Sequence, residues 1–261
     1  MDFTKLFFLP IVASAHGHEI DMMIYLVHLL MFILLFGWAV YFIYVLFRFR
    51  RNKNPQANYH GTTSHFSSYI EAAVAIVEVI LLVGFSIPFW AKQVNALPTR
   101  PDKIEVRVVA EQFAWNIHYP GADGKFGRTN IEFFDKQSNP LGLDSSDPNG
   151  KDDIVNINQL HLPIGRPVII HLSSKDVMHS FSLPIMRVKQ DVIPGMSIPT
   201  WFIPTKTGQW QIGCAQLCGL GHYRMIGFIT VHSQEGYQKW LDEQAPALGG
   251  SEEGGADDFW N

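Results

Sequence analysis

Cysteine is nearly absent. Cys214 and Cys218 are the only two in the chain, too few for a fold stapled by disulfides. No C-x-x-C-H run occurs, which excludes a covalently attached c-type haem. A basic excess is missing as well. The formal net charge is -4, and from Asn95 onward 19 acidic side chains stand against 14 basic ones. A phosphate backbone would be repelled, so nucleic acid is not a partner. The most informative absence is local: residues 22–47 contain no Asp, Glu, Lys or Arg.

Those 26 residues make about 39 Å of helix at ~1.5 Å per residue, enough to cross a bilayer and meet membrane lipid. A second apolar stretch from about Ser67 to Ala91 is equally long but includes Glu71 and Glu78. Together they predict a two-helix transmembrane hairpin over 20–91. Arg48, Arg50, Arg51 and Lys53 in the connection assign it to the cytoplasmic side, and Trp90 fits the opposite interface. Both termini then lie outside, which in a bacterial inner membrane means the periplasm.

Residues 1–19 precede the hairpin. Lys5, the run from Leu6 to Ala15, and small residues at Ala13 and Ala15 resemble a short signal peptide, here read as a retained extracytoplasmic arm. His16 and His18 are ordinary polar flank. Glu71 and Glu78, seven positions apart, share a helix face about 10 Å apart along the axis. Carboxylates in hydrocarbon face protein or a water path. Glu71 also fits a capping box with Ser68, and the two readings can coexist.

After a linker at 92–103, broken by Pro98 and Pro101, short apolar runs recur at Ile104 to Ala110, Val155 to Ile157, Val168 to Leu172, Phe181 to Leu183, Trp201 to Ile203, Trp210 to Ile212 and Ile226 to Val231. Their spacing and Pro/Gly punctuation predict an all-β Greek-key sandwich over 104–240. Residues 135–153 read as a surface insertion free to move, and 241–261 as a flexible acidic tail.

Both cysteines fall in one run with His222 and Met225. Two thiolates, an imidazole and a thioether select a soft metal, and copper suits the set better than zinc, which has no use for Met. Sulfurs four positions apart can bridge a pair of ions if the loop curls around them. A binuclear site needs another imidazole, and His179, on a polar turn between two apolar runs, is the candidate. A Cys214–Cys218 disulfide and a zinc site are the alternatives.

The pattern C-x3-C-x3-H-x2-M with an upstream D-V-x-H-S resembles subunit II of the haem-copper oxygen reductases, the cytochrome c oxidase subunit with the binuclear CuA centre. The likeness runs from the first apolar helix to about Trp240. It implies a cupredoxin-like fold in which Cys214 and Cys218 bridge two coppers, His179 and His222 cap one each, Met225 is axial, and the Gln216 carbonyl completes the set. Many relatives carry Glu at 216, where it also reaches a Mg2+ or Mn2+ site shared with subunit I. An amide oxygen is a weaker ligand for a hard cation, so the resemblance implies copper here more firmly than the second metal.

Glu71 matches the carboxylate near the cytoplasmic mouth of a proton pathway. Glu78 stands where many relatives have Pro. Gln112, Phe113, Ala114 and Trp115 resemble the aromatic patch that accepts electrons, with Phe113 in place of the usual surface Trp. Strand alternation would put Phe113 and Trp115 on one face, either for docking or for the core.

The implied role is an electron relay. Single electrons come from a separate cytochrome c, or from the cytochrome domain of an associated respiratory complex, and pass to the low-spin haem of subunit I, where oxygen is reduced and protons are translocated, with subunit III alongside. The chain alone has no oxygen chemistry. The corresponding subunit of a copper-containing nitric oxide reductase is the alternative within redox chemistry. A membrane-anchored copper carrier would need exposed, exchangeable ligands, whereas the thiolates are expected to lie among Trp210, Ile212, Leu217 and Met225.

Overall fold

The computed structural model describes residues 9–56, 59–61 and 63–244. In lipid, an uncharged apolar run satisfies its backbone only as a helix, and Gly17–Arg48 forms one, α1. The second, α2, covers Phe66–Asn95. The apolar stretch of each is uncovered by the rest of the chain, as side chains meant for lipid or partner helices must be. Glu19 and Lys92 pair at 2.9 Å.

The middle of α2, Ile80–Ser86, widens into a π-helix. Pro88 lies just beyond; its nitrogen has no hydrogen to donate and its ring crowds the carbonyl four residues back, at Gly84, so the local turn opens. The Ser86 hydroxyl donates to the Leu81 carbonyl at 3.2 Å. At the other end, the capping box expected at Ser68 and Glu71 does not form. The helix starts at Phe66 after His65, which makes no side-chain cap, and it is Ser64 whose hydroxyl accepts the Phe66 N–H at 3.3 Å. Ser68 is already inside the first turn.

The extracytoplasmic part is two five-stranded sheets with a shared apolar core, a cupredoxin-like sandwich. One sheet runs β3 (Ile154–Ile157), β2 (Ala114–Tyr119), β1 (Ile104–Glu111), β5 (Val168–Ser174), β8 (Ile198–Phe202). The other runs β4 (Gln159–Pro163), β10 (Ile226–His232), β9 (Gly208–Cys214), β6 (His179–Leu183), β7 (Val188–Val192). Strand alternation places Val106, Val108 and Ala110 of β1 inward, and Trp115, Leu172, Phe181 and Ile212 fill the space between the sheets; all are fully buried. Trp115 meets Phe181 edge-on at 5.4 Å between ring centres, a preferred aromatic geometry.

The boundaries differ from those expected. Pro10–Gly17 packs with the β domain: the Ala13 N–H donates to the Ile185 carbonyl at 2.9 Å, Ala15 N–H to Ile203 at 3.0 Å, and Thr205 N–H to Ala13 at 2.8 Å. Ala13 is wholly buried and Ser14 nearly so, its hydroxyl donating to Met186 at 2.6 Å. The small residues that look like a cleavage box are the ones this seam has room for. Met1 to Phe8 of the signal-like stretch lie outside the described residues. Beyond β10, helix α3 (Gln234–Gln244) buries Tyr237 and Trp240, so ordered structure continues past residue 240, and 245–261 lie outside the described residues. Trp240 stacks on His161 at 4.6 Å, and His161 Nδ1 is 2.8 Å from His232 Nε2.

The insertion between β2 and β3 is tied down rather than loose. Asp135, Asn139, Asp144 and Asp147 accept backbone N–H groups across its turns, the local bonding that makes Asp and Asn turn formers. It folds over the outer face of β2 and leaves His118 and Asp153 buried as a 2.6 Å pair.

Candidate metal centre

The donors converge at one end of the second sheet. β9 ends on Cys214 and β6 begins on His179, and the two strands pair with Phe181 opposite Cys214. From Cys214 the chain loops out through Cys218, makes a 3-10 turn at His222–Arg224, and returns through Met225 into β10. The Ala215 N–H donates to the Ser180 carbonyl at 2.9 Å, fastening the start of the loop to β6. Rigid strands thus set the loop ends, and the loop sets the side chains.

The two sulfurs are 3.9 Å apart and carry no disulfide; a covalent bridge needs ~2.05 Å. Cys214 Sγ lies 3.9 Å from His179 Nδ1 and 3.2 Å from the Gln216 carbonyl oxygen. Cys218 Sγ lies 3.6 Å from His222 Nδ1 and 3.8 Å from Met225 Sδ. His179, Cys214 and Cys218 form a potential metal-binding cluster, their ligand atoms within 4.8 Å of one another. All six residues named from the sequence therefore meet. Cys218, Met225 and His179 are buried, but Leu217 is 76% exposed and does not wall the thiols as expected; its side chain points away from the sandwich because the loop curls inward only at the sulfurs.

Asp176 steers His179. Its Oδ1 is 2.9 Å from His179 Nε2, which turns Nδ1 toward Cys214, and its Oδ2 accepts the Gln112 N–H at 2.7 Å. A carboxylate behind an imidazole fixes its tautomer and raises its basicity as a ligand. The Gln112 side chain then donates to the Cys218 carbonyl at 2.6 Å, linking the β1–β2 turn to the loop. Sequence reasoning missed both roles; the only signal was the place of Asp176 three residues before a candidate ligand.

Burial alone would raise both thiols. For Cys214 it is outweighed by hydrogen bonding with His179 and the backbone of Ser180 and Gln216, which draws that thiol well down. Cys218 is pushed up by burial and by the neighbouring Cys214 thiolate. Without a metal, the pair thus favours one thiolate over two.

Phe113 and Trp115 part company. β2 starts at Ala114, so Phe113 lies in the preceding turn and does not share a strand face with Trp115. Its half-buried ring rests on the loop at Gly219 and Gly221 and lies 5.9 Å from the Arg224 guanidinium. Trp115 is fully buried, edge-on to His179 at 6.3 Å. The expected common face fails because Phe113 belongs to the β1–β2 turn, where strand alternation does not hold.

The family model for the periplasmic domain of cytochrome c oxidase subunit II matches residues 104–233. The alternative cytochrome c oxidase subunit 2 of Bradyrhizobium diazoefficiens is 34% identical over 212 residues, covering 80% of this chain and 74% of that protein. The chain belongs to the cytochrome c oxidase subunit II family. Subunit 2 of the Cereibacter sphaeroides oxidase is 28% identical over 229 residues, 81% of this chain and 70% of that one. Among solved structures, the periplasmic domain of subunit II from Bradyrhizobium japonicum is 26% identical and covers 59% of this chain and 99% of its own, with a TM-score of 0.43. This subunit II is thus an electron-transfer component of a haem-copper oxidase, with two membrane spans and a periplasmic-type domain.

Proposed function

We propose that this subunit II receives single electrons from a separate cytochrome c, or from the cytochrome domain of an associated complex, and delivers them to the low-spin haem of subunit I through a binuclear CuA centre. The observation that carries the proposal is the donor set: two sulfurs 3.9 Å apart, flanked by two imidazoles, a thioether and a carbonyl. Those donors would suit a pair of soft ions, and leave nothing for a single zinc to do with Met225. His179, Cys214, Gln216 through its carbonyl, Cys218, His222 and Met225 would hold the coppers.

When bound, such a centre exchanges one electron shared between both ions. The chain's part is to hold the donors still: Asp176 fixes the His179 ring, Gln112 fixes the Cys218 backbone, and the β6–β9 pairing fixes Cys214. Limiting rearrangement keeps the electron step fast. Phe113, over the loop at Gly219 and Gly221, is the proposed contact for the donor protein. Trp115, enclosed in the core, acts behind it by supporting His179. Glu71 is the proposed proton-uptake carboxylate, facing subunit I, and subunit III is a further proposed neighbour.

The test is metal content and spectrum of the purified full chain. Two coppers per chain with a delocalised mixed-valence signal are expected. Cys214→Ser or Cys218→Ser should abolish that signal, and Met225→Leu should keep the copper but shift its potential. One zinc per chain with no visible absorption would refute the proposal.

A further inference from the structure

The insertion over the outer face of the first sheet does more than cover it. Between the two lies a cavity of about 310 Å3, at the lower end of the ~300–1,000 Å3 typical of small-molecule sites. Its floor is the solvent-side register of the sheet: Arg107 from β1, His118 from β2 and Ser173 from β5. Its roof is the insertion, which contributes Asn130, Phe134 and Leu141. The lining residues include no carboxylate.

The cations of this region are not equivalent. Lys175 is committed to Glu111 at 2.6 Å, and His118 to Asp153 at 2.6 Å. The guanidinium carbon of Arg107 lies over the Phe126 ring, 4.0 Å from its centre, with no hydrogen bond or ion pair to any described residue. The carboxylates of Asp153 and Glu105 act on it through space without bonding to it: Asp153 accepts from His118 and the Gly127 N–H through Oδ2, and Glu105 pairs with Lys103 and His171. The contact with an aromatic face holds the guanidinium while its N–H donors make no protein hydrogen bond, and that fork matches carboxylate and phosphate oxygens. Phe134 and Leu141 give the lining its apolar surface, with the Lys175 ammonium 5.0 Å from the Phe134 ring centre. The lining thus combines cationic and apolar side chains.

We propose that this cavity binds a small organic anion, a carboxylate or phosphate ester whose charged group meets Arg107 and whose apolar body lies against Phe134 and Leu141. This site lies on the outer face of the first sheet, whereas the thiols sit at an end of the second, and the proposal does not depend on the copper reading. The shared chemistry of carboxylate and phosphate ester follows from the guanidinium, and the apolar wall separates both from free inorganic phosphate.

The experiment uses the purified full chain in detergent and measures binding of benzoate, phenyl phosphate, inorganic phosphate and benzyl alcohol by calorimetry or ligand-observed NMR. Benzoate or phenyl phosphate should bind at least about ten-fold more tightly than benzyl alcohol or inorganic phosphate. Arg107→Gln should weaken the bound anion by about ten-fold or more, and Arg107→Lys, which keeps the charge but loses the fork, should fall between. Far-ultraviolet circular dichroism and the thermal transition check that each variant is folded; should Arg107→Gln fail to fold, Arg107→Lys and the neutral ligand carry the test. Anion binding indifferent to both substitutions, benzyl alcohol binding as tightly as benzoate, or no binding of either organic anion at millimolar concentration would overturn the proposal.

Discussion

Acid should loosen the helix that closes the β domain, and the cause is one ring. His161 is sandwiched against Trp240 of α3 and bonded to His232. Burial, aided by repulsion from His232, lowers its pKa from 6.5 to about 4; His232 is lowered too, by burial. In the unfolded chain both rings titrate near the ordinary value. Between pH 6.5 and 4 the unfolded state therefore holds a proton that the folded state does not, and stability rises with pH across that window. The contribution of His161 is fully present above about pH 6.5 and is lost as pH falls toward 4. At ~1.36 kcal/mol per pKa unit the ceiling is about 3.4 kcal/mol, and because the ring is only partly enclosed, solvent screening leaves about 1–2 kcal/mol. Urea unfolding of the full chain in detergent, followed by tryptophan fluorescence from pH 7.5 to 4.5, should show the native protein losing that much more stability than His161→Gln. The variant starts lower at pH 7.5, having lost the stack, but its curve should be flatter. Parallel curves would refute the assignment to His161.

Three further outcomes are expected. An added Cβ at Gly221 would lie 2.7 Å from Phe113 Cγ, so Gly221→Ala should displace the ring and slow electron uptake from cytochrome c by about ten- to a hundred-fold at unchanged copper content; normal uptake would remove Phe113 from the path. Gln216→Ala should keep both coppers, since only its carbonyl approaches Cys214, and copper loss in a folded chain would show that the side chain matters. Glu71→Gln should slow turnover of the assembled oxidase while leaving electron transfer into copper intact; because no capping box forms at Ser68, normal turnover in an assembled complex would reject the proton-uptake role outright.

Legibility in the sequence followed the physics of each feature. Charge exclusion over residues 22–47 and strict alternation in Ile104 to Ala110 are consequences of one environment acting on every residue, and both elements were readable. β7 was not, because Lys189, Gln190 and Asp191 give it a polar face and no apolar run. β4 was hidden behind Asn158, whose left-handed φ of 59° turns the chain between two strands that run together in sequence. The six residues that meet at the end of the second sheet were legible because soft-metal chemistry restricts residue types. Their positioning residues, Asp176 and Gln112, were not, since carboxylates and amides are common and only the fold brings them behind His179 and Cys218. The Arg107 cavity was equally hidden: its floor and roof are separate in sequence and meet only when the insertion folds back.

The seam that holds residues 10–17 sets the order of events during biogenesis. The segment leaves the ribosome before the rest of the β domain, yet its main-chain partners at Ile185, Ile203 and Thr205 emerge about 170 to 190 residues later, and Ser14 and Met186 are separated by 172. Until those residues have been synthesised and exported, Val12 and Ala13 present an unpaired edge of the kind that invites wrong pairing. Contacts this distant in sequence form late. The opening segment of the domain is therefore its closing piece, and anything that delays export of the region around Met186 prolongs the time for which that edge is available to other chains.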